Sequence, residues 1–128
     1  MFHWLFSLAV PVVIGLLWHG FSLKFAVALA GEQAPGFFKT AWVSWVGGLL
    51  GVVAAFGFSM TAGWALWFFS ATLASVAAMA VHVLTTSAVY KKGLRLSWPA
   101  SIGVTVIHAF LSFAFNAALG WLTLSMLA

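Results

Sequence analysis

Apolar residues run along this chain in four long blocks, at about residues 4–30, 37–59, 64–90 and 97–124, separated by short stretches where Gly, Pro and charged residues gather. A helix rises about 1.5 Å per residue, so each block is long enough to cross a hydrocarbon core roughly 30 Å thick. The pattern predicts an all-α integral membrane protein. Its single domain over residues 1–128 would be a four-transmembrane-helix bundle with short loops.

Polar and small residues inside the blocks are not scattered. In the last block Ser101, Thr105, His108, Ser112 and Asn116 follow one another at steps of four, three, four and four, which stacks them along one helix face. The first block aligns Ser7, Pro11, Gly15, His19, Ser22 and Ala26. The second aligns Thr40, Ser44, Gly47 or Gly48, Gly51 and Ala55, and the third Ala71, Ser75, Ala78 and His82. A polar group facing lipid costs several kcal/mol, and small residues let helix backbones approach closely, so these seams are expected to face one another. The expected helix-packing residues are Gly47 and Gly51, at small-xxx-small spacing, with Ser101, Thr105, Ser112 and Asn116.

The interruptions have their own chemistry. Residues 31–36, GEQAPG, read as a turn; residues 60–63 form a tight uncharged connection; residues 91–95, KKGLR, form a second charged loop. Pro99 suits the first turn of the last helix, where its missing N–H would be unpaired anyway, and Pro11 should bend the first. Ala28-Leu29-Ala30 resembles a signal-peptide cleavage site. The first block has no basic residue at its start, however, and exceeds the usual 7–15-residue apolar core of a signal peptide, so it is expected to stay as a span.

Composition strengthens the membrane reading: 65% of residues are hydrophobic and 5% charged, against roughly a quarter charged in soluble domains. With no cysteine, disulfides, Cys-ligated zinc and iron–sulfur clusters are excluded. The net charge of +4 is too dispersed to track a phosphate backbone, so no nucleic-acid partner is expected. Its information is topological. Lys24, Lys39, Lys91, Lys92 and Arg95 all lie in or beside the first and third connections. By the positive-inside rule, loops 31–39 and 91–95 are cytoplasmic and both termini lie on the opposite side, in a bacterial inner membrane. Lys24 can snorkel to the headgroups from the last turns of its span. Trp4, Trp64, Trp67 and Trp121 fall near the outer ends and Trp42, Trp45 and Trp98 near the inner ends, as interfacial belts require.

Candidate chemistry reduces to histidine. Counted from the basic loops, His19, His82 and His108 all lie roughly 12–16 Å deep, each on an inward seam, and intramembrane ionisable residues are functional candidates by default. Each could simply hydrogen-bond across the bundle, for instance to Ser22, Ser44, Thr105 or Ser112. Two of them could instead ligate a b-type haem axially or dock a quinone, and Met79, one turn before His82, could add a soft sulfur for copper. His3 at the outer interface needs no role. The membrane blocks contain no carboxylate, which argues against proton-coupled transport, and without an Asp no Ser-His-Asp triad can be built. The leading expectation is a small non-catalytic subunit that packs within a larger membrane complex, in contact with the lipid bilayer and with other subunits or copies of itself. A redox anchor holding haem or quinone, and a small homo-oligomeric channel or transporter, are the alternatives.

Overall fold

The computed structural model describes residues 2–127, with side chains for residues 9, 10, 12–122 and 125. His3, Trp4, Ser7 and Pro11 fall outside those side chains. Five helices follow one another: α1 Phe2–Leu29, α2 Phe37–Met60, α3 Ala62–Phe69, α4 Ala71–Leu94 and α5 Trp98–Leu127. Four of them carry stretches long and apolar enough to cross a membrane, Val12–Leu29, Phe37–Met60, Ala71–Leu94 and Trp98–Leu122. The protein is an all-helical membrane bundle. Its long helices pack in a ring, α1 on α2, α2 on α4, α4 on α5 and α5 back on α1, with α3 lying outside against α2 and α4.

The chain reverses by left-handed caps at the basic end. At the end of α1, Gly31 takes φ 75° and the Glu32 N–H donates to the Val27 carbonyl at 3.1 Å, satisfying an otherwise orphaned helix carbonyl. The same device closes α4, where Arg95 takes φ 59° and the Leu96 N–H donates to the Lys91 carbonyl at 3.0 Å. Lys91 and Lys92 are therefore the last helical turn of α4, not a loop; there they complement the partial negative charge of the helix C-terminus. Lys91 also lies 5.6 Å from the Trp98 ring centroid, tying α4 to the start of α5.

The opposite end departs from the sequence expectation of one continuous span over 64–90. The connection after α2 is itself the eight-residue α3, and the chain extends at Ser70 (φ −168°, ψ 123°) before α4 begins. Ser70 caps α4 by accepting a hydrogen bond from the Leu73 N–H at 3.3 Å. Serine competes for backbone groups in non-helical conformations, so it breaks a run that apolar periodicity alone reads as unbroken.

Burial is one-sided. Ser22, Leu23, Ala26 and Val27 of α1, Thr40, Val43 and Ser44 of α2, Thr86, Ser87, Tyr90 and Leu94 of α4, and Ser101, Val104, Thr105 and His108 of α5 are all buried, and all lie toward the basic end. Toward the other end the same helices expose Val12, Val13, Val52, Phe56, Val76, Phe110 and Phe113. Among the described side chains the core is concentrated in the basic half of the bundle, and the other half is more open.

Candidate functional site

At the centre of the closed half stands His108, 7% exposed and in reach of all three other long helices. Its Nδ1 lies 2.8 Å from the Tyr90 hydroxyl of α4, and its Nε2 lies 3.4 Å from the Ser44 hydroxyl of α2 and 3.5 Å from His19 Nδ1 of α1. The two imidazoles meet edge to face, with ring centroids 5.5 Å apart and planes at 71°.

Side-chain direction explains why Tyr90 reaches a histidine that starts deeper in the bundle. Helical side chains lean toward their own N-terminus. α4 and α5 run antiparallel, so Tyr90 points from near the basic end into the interior while His108 points back to meet it. Tyr90 is 1% exposed, and Gly47 makes room for it: a methyl on Gly47 would sit 2.7 Å from Tyr90 Cε1. Glycine serves here by close approach. One step along the same seam, Thr86 donates from Oγ1 to the Gly47 carbonyl at 3.2 Å, binding α4 to α2.

The polar stripe of α5 is largely spent on itself and on α4. Ser87 donates to Thr105 Oγ1 at 2.9 Å, Thr105 to the Ser101 carbonyl at 2.8 Å, and Ser101 to the Trp98 carbonyl at 2.9 Å. Beyond His108 the stripe loses its partners. The Ser112 hydroxyl and the Trp18 indole N–H are buried without a hydrogen-bond partner, one turn from His108 and one residue from His19 respectively. Trp18 stacks on Phe115 at 4.0 Å, which closes this side of the histidine pair with aromatic surface.

Of the three intramembrane histidines, the fold brings together His19 and His108. His82 packs instead against Gly51, where an added methyl would lie 2.6 Å from its Nδ1, and among the described residues it shares no hydrogen bond or ring contact with the other two. It precedes Tyr90 by two helical turns, about 12 Å along α4, and Tyr90 is what fills the gap between α4 and His108. Met79 is 69% exposed and so stands on an outer face of α4, away from that centre. Asn116, expected to face inward, is exposed. It lies about 27 Å along α5 from Trp98, close to the far boundary of a 30 Å hydrocarbon core, where an amide finds water and headgroups without needing a helix partner.

Tyr90 is the residue that sequence reasoning missed. It is the single tyrosine of the chain, and His82, Thr86 and Tyr90 recur at steps of four, the spacing that marks one face. Ser44, by contrast, was among the hydroxyls expected to answer a histidine. Between His19 and His108 the structure leaves no slot for a macrocycle: Ser44 stands 3.4 Å from the very nitrogen that would face a haem iron, and Tyr90 holds the other. His19 and His108 as placed do not fit the two faces of a b-type haem.

No protein-family model matches the chain, and no similar curated protein or solved structure was found.

Proposed function

We propose that the protein is a small non-catalytic subunit of a larger assembly in a bacterial inner membrane, with the basic end in the cytoplasm. The observation that carries this reading is an exposed small-residue face in the first half of α4. Residues 71–80, ATLASVAAMA, contain five alanines, a serine and a threonine, and Ala71, Ser75 and Ala80 are exposed. Small residues on a membrane helix serve close helix approach, and among the described residues these positions are left exposed rather than covered. Beside them runs a groove of about 500 Å³ lined by Ser59, Gly63, Trp64, Trp67, Phe68, Ala74, Ser75 and Ala78. Its floor is small and its wall is aromatic, which suits an inserted helix. The connections between helices are too short to hold soluble catalytic machinery, which fits a role fulfilled through packing.

The test is cross-linking in native membranes from single cysteines, introduced into a chain that has none. Cysteine at Ser75 or Ala78 should give a discrete adduct to another membrane protein or to a second copy of the chain, whereas cysteine at Val106, exposed on α5, should give none. Adducts from all three positions alike, or from none, would remove the assembly reading.

A further inference from the structure

We propose that the groove between α1 and α2 at the basic end binds an anionic glycerophospholipid, one acyl chain lying in the groove and the phosphate held between Lys24 and Lys39. The two helices touch closely at Gly20, where an added methyl would sit 2.7 Å from the Phe37 ring and 2.9 Å from Ala41 Cβ. Gly20 therefore stands level with the first turns of α2. Beside that contact lies a groove of about 460 Å³ whose walls include Leu16 and Leu17 of α1 and Phe38, Ala41, Trp42 and Trp45 of α2. From Phe38 to Trp45 it runs about 10 Å along α2, and its surface is almost wholly apolar. Trp42 and Trp45 lie with ring centroids 6.2 Å apart and planes tilted by 31°, a wall suited to hydrocarbon. Indoles hold this place at a membrane interface because an apolar ring can face acyl chains while its N–H stays near the headgroups.

Cations stand at the mouth of the groove. Lys24 follows Leu17 by seven residues, which returns it to within about 20° of the same helix face and about 10 Å nearer the basic end. Lys39 precedes Trp42 by three residues, on the adjoining face of α2. Both side chains are exposed. Measured from the Gly20 contact, their Cα atoms differ in height by about 6 Å. Helical side chains lean toward their own N-terminus, and α1 and α2 run antiparallel, so Lys24 leans inward toward the groove while Lys39 leans outward to the basic end. The two ammonium groups thus converge on a common height.

Charge selects the headgroup. Glu32 is the only acid among five cations, so the chain itself can neutralise at most one of them. A zwitterionic lipid would bring its own cation beside the two lysines, whereas a lipid of net negative charge brings only the phosphate they lack. Basic pockets between transmembrane helices recognise anionic headgroups in this way. A phosphate without an acyl chain would leave the apolar groove unfilled, so the ligand is the whole lipid. This groove is separate from the one beside α4, and lipid binding here holds whether or not a partner docks there.

The experiment is native mass spectrometry of the full chain released from nanodiscs of equimolar phosphatidylglycerol and phosphatidylcholine. One phosphatidylglycerol per chain should be retained in preference to phosphatidylcholine. Lys24→Gln and Lys39→Gln should each lower that preference about fivefold. Lys92→Gln removes an exposed cation on α4 and should leave it unchanged, while Leu17→Trp, which fills the groove, should lower phosphatidylglycerol retention. All four positions are exposed, so the variants should fold. Equal retention of the two lipids, a preference that survives Lys24→Gln or Lys39→Gln, or an equal loss with Lys92→Gln would overturn the proposal. Undiminished retention with Leu17→Trp would overturn the placing of the acyl chain.

Discussion

Adjacent glycines on one helix separate the roles that a small residue can play. Gly47 faces Tyr90 and Thr86, whereas a methyl on Gly48 would meet nothing within 4 Å. Gly47→Ala should therefore force the Tyr90 ring off His108 and cost about 1–3 kcal/mol, the usual range for overpacking. Gly48→Ala should be neutral or stabilising by up to about 1 kcal/mol, because alanine is the better helix former. Unfolding in a detergent–denaturant titration measures both, and equal losses would contradict the placement of Tyr90 against α2. Asn116 supplies a second comparison. Because it is exposed near the far boundary, Asn116→Leu should change the stability of the isolated chain by less than about 0.5 kcal/mol in the same titration. A large loss would return it to the inward seam.

Helix ends are where sequence pattern and structure differ most. Lys91 and Lys92 look like loop residues because they are charged, yet the hydrogen-bonding pattern carries α4 through Leu94. What ends the helix is Arg95 in the left-handed region, a conformation that costs a non-glycine residue roughly 1–2 kcal/mol. Arg95→Gly should relieve that strain and stabilise the bundle by about 1 kcal/mol, read as a shift in the thermal unfolding midpoint in detergent. A destabilised variant would mean that the arginine side chain, rather than the backbone, matters at this cap. The break at Ser70 teaches a related lesson. Hydrophobicity runs on through Trp64, Trp67 and Phe68 into α4, so only the local competition of a serine side chain for the Leu73 N–H marks where one helix stops and the next begins.

At the scale of the whole molecule, orientation and packing can be tested together. Cysteine at exposed Gln33 or Ser97 should be shielded from an impermeant thiol reagent added outside intact cells, and cysteine at exposed Ala62 should react. Gly93 is unsuitable for this purpose, since a side chain there would meet Val43 at 2.8 Å. Reaction at Gln33 and Ser97 but not at Ala62 would invert the topology. The closed and open halves also set an expectation for dynamics: amide exchange in detergent should be slowest around residues 86–90 and 101–108 and fastest over residues 71–80, none of which is buried.

The sequence by itself determined that there are four spans, the part of the inward seams nearest the basic end, the end at which the cations gather and the depth of each histidine along its own helix. All of these follow from periodicity, rise per residue and the exclusion of charge from lipid, which are properties of one helix in one solvent. It did not find the break at Ser70, and Ala71, Ser75 and Asn116 of the expected seams are exposed. It could not say which side chains at similar depth would meet. His19, His82 and His108 sit at comparable distances from the basic end, yet two touch and the third is held apart. The difference comes from the order of helices around the ring, from the lean of each side chain toward its own N-terminus, and from Tyr90 occupying the space between α4 and α5. Azimuth, tilt and the closing of one half of the bundle are set by how four helices fill space together, and only the tertiary structure decides them.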